Sequence, residues 1–441
     1  KAASEYTKEQ QDHLIATGFL RMAPDATYST EQNFMPERFD VIANQIEILS
    51  SSVMGLTLGC ARCHDHKFDP LPQRDYYRLA AILQPAYDPY DWRIPNLNMI
   101  GVGAKPDHAL TRQLPLRDTA EQEAVRSHNA PLEARIAELK EQIKDRFAPF
   151  RRQIQLDNLA RLPETVRDEI LAAAAKDEAS RDAVQQYLVK NFESELNVSD
   201  REIEKRFPES RDSVSELRKQ IGQLSRELRP EPTIRALYDM GEVPTPVYQL
   251  LRGDPAKLGP EIQPGVPEIL SKGLAPYRVV PPDHTTRTTG RRTALAKWLI
   301  QPDHPLTARV IVNRVWQHHF GTGLVETPGN FGTTGARPGN AALLDWLAVE
   351  FVEQGWSLKN LHKMILLTEA YRQSSRGEAA ALEADPDNRL LSRFPLQRLE
   401  GDALRDIVLQ VSGQLDRTAG GPPAPIKELP SGEVTEDPET A

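Results

Sequence analysis

Residues 55–83 read GLTLGCARCHDHKFDPLPQRDYYRLAAIL and hold both cysteines of the 441-residue chain. The two lie three positions apart and are followed at once by a histidine: Cys60-Ala61-Arg62-Cys63-His64. Covalent attachment of a c-type haem needs this pattern, because each sulfur adds to one vinyl group and the adjacent imidazole then lies under the iron as an axial ligand. The pentapeptide therefore predicts one haem c, carried by Cys60 and Cys63, with His64 as proximal iron ligand. Other chemistries use similar residues. A thioredoxin-like dithiol normally follows a strand of a βαβ unit, a pattern this sequence lacks. Zinc accepts mixed sulfur and nitrogen ligands, so a structural or assembly protein with a zinc site at Cys60, Cys63 and His64 or His66 stays open as an alternative. A disulfide closing so small a loop would add little stability.

Working outward, Phe39, Ile42, Ile46, Leu49 and Val53 recur at steps of three and four, which predicts a helix over 38–54 with one buried face. Gly55 and Gly59 break it. After the motif, residues 65–70 form an irregular polar stretch, and Asp75 is the expected N-cap of a helix carrying Tyr76, Tyr77, Leu79, Ala80 and Leu83. Asp65, His66 and Asp69 are candidate cofactor-binding residues, able to hydrogen-bond the proximal ligand or a haem propionate. They fit ordinary turn roles equally well.

Residues 118–230 are rich in Glu, Arg, Lys, Ala, Gln and Leu. Leu132, Ile136, Leu139 and Ile143, then Val214, Leu217, Ile221, Leu224 and Leu228, keep a seven-residue rhythm. This predicts an antiparallel helical arm, a spacer or a surface for self-association. Residues 231–284 are proline-rich with weak β character at 247–251, and Arg252-Gly253-Asp254 beside Pro255 reads as a turn rather than an adhesion signal. Further helices are expected over 291–299, 306–319, 341–354, 358–374 with Ser357 as cap, and about 400–414. Asn313, Arg314, Trp316, His318 and His319 cluster within two turns. The cluster reads first as a buttress for the junction at Gly321 and Gly323, and second as a ligand-reaching site, with His319 as a candidate distal ligand. Met22, Met54, Met99, His13, His108 and His318 are the other candidates for the iron's sixth position.

The expected architecture is mainly α, with a haem domain over 1–117, the helical arm over 118–230, a Pro-rich connector over 231–284, a helical companion domain over 285–425 and a flexible tail over 426–441. A net charge of −9 supplies no basic surface for nucleic acid. No apolar run approaches the length a membrane helix needs.

The run over 55–83 resembles the signature of the planctomycete-type cytochrome c domain of large secreted proteins from planctomycetes and verrucomicrobia. The stretches LTARVIVNRVWQHHFGTGLVETPGNFG from 306 and LLDWLAVEFVEQGWSLKNLHKMILLTEAYRQSS after it resemble the companion planctomycete-specific domain. The resemblance implies a secreted or periplasmic bacterial protein of unestablished activity that binds haem through C-x-x-C-H, with more chain at both ends than is present here. The expected function is one-electron transfer to a redox partner protein. The alternative is a haem-dependent oxidoreductase acting on extracellular carbohydrate-related material.

Overall fold

The computed structural model describes residues 7–24, 34–92, 112–115, 119–177, 180–230, 233–240, 243–280, 288–417, 426–432 and 434–436. The chain enters through Lys8–Ala16 (α1), where Thr7 and Gln10 form a reciprocal capping box. Met35–Leu49 (α2) follows, with Pro36 in its first turn, where the missing N–H costs nothing. It buries Val41, Ile42, Ile46 and Leu49. The predicted helix is realised with a difference at its end: Ser50–Met54 is a single π-helical turn, and Gly55 at φ 59° then reverses the chain.

Gln73–Leu83 (α3) starts two residues before the expected cap. Pro72, extended at ψ 154°, is the boundary residue, and Asp75 lies inside the first turn, fully buried. Its carboxylate accepts from Glu268 N at 2.9 Å and from the Arg78 guanidinium at 3.2 Å. Asp75 is thus spent on a long-range tether instead of a local cap.

The first apolar cluster joins α2 and α3 to distant sequence. Ile46, Met54, Leu58, Ala61, Tyr77 and Ile82 pack with Leu237, Val247, Leu250, Ile262 and Val266 of the Pro-rich stretch. Leu295 and Trp298 of Arg291–Leu299 (labelled α8 below) complete it. The 231–284 stretch is therefore core-forming as well as connecting.

The arm is built from Thr119–Asn158 (α4), Glu164–Ala174 (α5), Ala183–Asn191 (α6) and Glu209–Glu227 (α7), with short helical turns between the last two. Asn129 bonds the Arg229 backbone near one end, and Arg146 reaches Ser213 O farther along, so α4 and α7 run antiparallel. Leu139, Ile143 and Phe147 bury against Val214 and Leu217, so the heptad seam is satisfied within one chain.

The remainder is Arg291–Leu299 (α8), Thr307–Phe320 (α9), Ala341–Glu353 (α10), Leu358–Leu366 (α11) and Gly401–Val411 (α12). Trp316 and Phe320 of α9 pack on Leu344, Leu347 and Phe351 of α10 and on Leu361 and Ile365 of α11. Ser357 caps α11 as expected, but the helix expected to run to 374 stops early, because Thr368 caps a separate turn, Glu369–Arg372. The architecture is mainly α. Its strands form three two-stranded antiparallel pairs among the described residues: Leu114–Pro115 (β1) with Thr233–Ile234 (β2), Tyr248–Leu250 (β3) with Leu258–Glu261 (β4), and Ile426–Glu428 (β5) with Val434–Glu436 (β6). The last pair lies in the stretch expected to be a flexible tail.

Candidate functional site

Cys60 sits on a short 3-10 turn, Gly59–Arg62, and Cys63 caps it, its N–H donating back to Cys60 O. Such a turn repeats every three residues, which brings positions 60 and 63 to the same side. Ala61 between them is fully buried and anchors the turn in the first cluster. Both cysteines are exposed, free thiols. His64 is exposed too, and its Nδ1 lies 2.7 Å from Asp65 O. That bond fixes the ring with Nδ1–H as donor and leaves Nε2 as the nitrogen able to take a metal.

The turn is pinned from below by α3. Gln73 Nε2 donates to both Arg62 O and Leu250 O at 2.9 Å, and the Tyr77 hydroxyl donates to Arg62 O at 2.8 Å. Burial pushes the Tyr77 phenol up to about 12, which keeps it a neutral donor. Gln249 closes the network on Gln73 Oε1 at 2.6 Å. Arg62 itself turns outward to Asp40 at 2.6 Å.

The other expected site residues hold the loop. Asp65 Oδ1 accepts from Gln73 N at 2.7 Å and so satisfies a first-turn N–H of α3. His66 is buried, with Nε2 3.4 Å from Thr57 Oγ1 and Nδ1 accepting from Asp69 N at 2.9 Å. Both of its ring nitrogens are engaged. Asp69 is also buried, and its Oδ1 accepts from Thr333 N at 2.7 Å.

Thr333 lies in the loop that follows α9, and two further bonds among the described residues tie that part of the chain to the segment ahead of the motif. Phe331 N donates to Gly55 O at 2.7 Å, and Arg314 Nη2 to Ser51 O at 3.0 Å. Gly332 makes room for the Asp69 carboxylate: a Cβ there would stand 2.5 Å from Oδ2 and 2.7 Å from Oδ1. The segments on either side of the cysteine motif are thus held by the loop over 327–336. Asn313, from the polar cluster on α9, is fully buried and bridges Val325, accepting from its N–H at 2.7 Å and donating to its C=O at 2.9 Å. It buttresses that same loop.

A family model described as PSCyt2, a protein of unknown function (DUF1549), matches residues 2–88, and one described as PSD1, a protein of unknown function (DUF1553), matches residues 291–440. The chain thus carries a match to each of the two domains, one in its first part and one in its last. No curated protein and no solved structure matches it. In these terms the cysteine turn lies in the PSCyt2 domain, and the loop over 327–336 that clamps it comes from the PSD1 domain.

His319 lies elsewhere in the PSD1 domain. Its Nε2 is 2.7 Å from His362 Nδ1, and its ring meets Tyr371 edge to face at 5.5 Å. Burial, then His362 and His318, lower its pKa. Met54 is fully buried in the first cluster, Met22 is largely exposed, His13 is exposed on α1 and His318 is exposed on α9. Met99 and His108 lie outside the described residues.

Three features of the site escaped the sequence: the hairpin of β3 and β4 that lies beside Cys63, the Gln73 and Tyr77 anchors, and the loop over 327–336. The glycines of that loop and of the Arg252-Gly253-Asp254 turn were the available signal. They mark backbone in close approach, but they do not say to what.

Proposed function

We propose that the chain carries one haem c, joined to Cys60 and Cys63 with His64 as proximal ligand, and exchanges single electrons with a partner protein outside the cytoplasm. One observation carries this reading: two free, exposed thiols share one side of a rigid turn next to an imidazole whose Nδ1 is held by a carbonyl. That donor set fits a covalently held haem, since Nδ1 bonded to a carbonyl both orients the ring and makes Nε2 a better ligand. The zinc alternative loses His66, both of whose ring nitrogens are engaged within the fold.

The haem would supply a one-electron couple whose potential is set by its ligands and its exposure to water. The chain's part is to hold and orient. Gln73 and Tyr77 fix the turn, Asp65 O fixes His64, and Leu251 and Leu258 of the hairpin and Phe68 of the loop after the motif are each about half exposed. No helix among the described residues is long and apolar enough to cross a membrane. The test is expression in a periplasm that matures c-type haem. The full chain should gain the mass of one haem that survives denaturation, Cys60→Ala or Cys63→Ala should leave a single thioether, and His64→Ala should lose the native low-energy absorption bands. A chain recovered at its bare mass beside a correctly matured control would count against the proposal.

A further inference from the structure

The turn that links β3 to β4 holds two consecutive residues in the left-handed region. Arg252 at φ 57° and Gly253 at φ 74° are both left-handed, and only the second is a glycine. Consecutive left-handed residues are a familiar device of hairpin connections, and glycine is the residue that adopts them at least cost. The Asp254 carboxylate is used inside the turn, accepting from Ala256 N at 3.0 Å and pairing with Lys257 at 2.9 Å. What the shape achieves is contact with Cys63. A Cβ on Gly253 would lie 2.6 Å from Cys63 Sγ, 3.6 Å from Arg62 O and 3.7 Å from Cys63 Cα. The bare backbone of residue 253 therefore rests on the second thiol of the motif. Beside it, Leu251 and Leu258 present half-exposed apolar surface, and Gly259 packs against Leu251.

We infer that Gly253 is a positioning residue for Cys63: by lacking a side chain it leaves the Sγ a free approach, while the hairpin walls that thiol on one side and makes it less accessible than Cys60. The inference rests on the haem reading above. In each attachment the S–H adds across a vinyl C=C, forming one S–C and one C–H bond as the π bond is lost, so nothing leaves and no oxidant is consumed. Room at Sγ is the requirement, and residue 253 controls it. The adjacent Arg252 side chain has no part in this, which separates the role from any reading of Arg-Gly-Asp as a recognition sequence.

The experiment compares the full wild-type chain, Gly253→Ala and Arg252→Gly after periplasmic maturation, reading peptide mass and the pyridine haemochrome spectrum, which reports how many vinyl groups remain. Wild type and Arg252→Gly should carry two thioethers. Gly253→Ala should carry one, at Cys60, with Cys63 free for alkylation and one vinyl still unsaturated. Two thioethers in Gly253→Ala overturn the inference. A wild-type chain without covalent haem overturns the function beneath it and leaves the packing claim to a second measurement that needs neither haem nor variant. In the folded haem-free wild-type chain, iodoacetamide should label Cys60 at least about threefold faster than Cys63, following accessibility. Equal rates overturn the packing claim.

Discussion

Buried His304 makes the stability of the fold depend on pH. The residue lies in the loop between α8 and α9, and it is 4% exposed. Its Nδ1 accepts from Thr307 N at 3.2 Å and lies 2.9 Å from Thr307 Oγ1, so the neutral ring organises the first turn of α9. Trp298 meets it edge to face at 4.5 Å. Burial pushes its pKa down from 6.5 to about 4. A histidine depressed in the folded state binds fewer protons there than in the unfolded chain, so its contribution is complete above the unfolded value and is lost as pH falls through the window from 6.5 toward about 4. With those two values, going from about pH 7.5 to about pH 5 removes at most about 2 kcal/mol, and about 1 kcal/mol if water relieves part of the burial. Urea unfolding at the two pH values, in wild type and in His304→Asn, isolates the effect. Asn keeps an acceptor near the Nδ1 position and does not titrate. The difference between the two proteins should shrink by about 1 to 2 kcal/mol at the lower pH as wild type loses its advantage. An unchanged difference would refute the assignment of a buried neutral His304, whatever the other carboxylates and histidines contribute.

Gly332→Ala should drive a methyl into the Asp69 carboxylate and cost about 2 kcal/mol, with earlier protease cleavage of the loop over 327–336 as the visible sign. Asn313→Ala should strip both partners from the buried Val325 backbone and lower stability by about 2 to 4 kcal/mol, read from the urea midpoint. Phe147→Ala in the arm should cost about 3 to 4 kcal/mol locally, and hydrogen exchange should show it in α4 and α7 while the amides around Cys60 keep their protection.

Much of the helical framework was legible because its signals are local. The three- and four-residue steps of α2, the Ser357 cap of α11 and the heptads of α4 and α7 each report a face that one helix must bury. Where a long-range partner decided the outcome, the local signal misled. Asp75 has the chemistry of a cap, but the tether from its buried carboxylate to Glu268 N and Arg78 holds it inside α3. The break at Leu367 turns on Thr368 competing as a cap within a stretch that otherwise keeps helical periodicity. In the site, Cys60, Cys63 and His64 could be named from spacing alone because the chemistry is written in five residues. The grip on them could not. Gly253 reaches the turn, and Thr333 the loop after it, across large sequence separations, and no periodicity encodes which glycine loop meets which carboxylate.

The most direct test of the account is the intact mass of the periplasmic full chain together with its reduced-minus-oxidised absorption spectrum. Attachment at Cys60 and Cys63 predicts the chain mass plus one haem, resistant to denaturing extraction, with the sharp reduced bands of a haem bound by thioethers. The bare chain mass with a featureless difference spectrum, in cells that mature a control cytochrome, would contradict it.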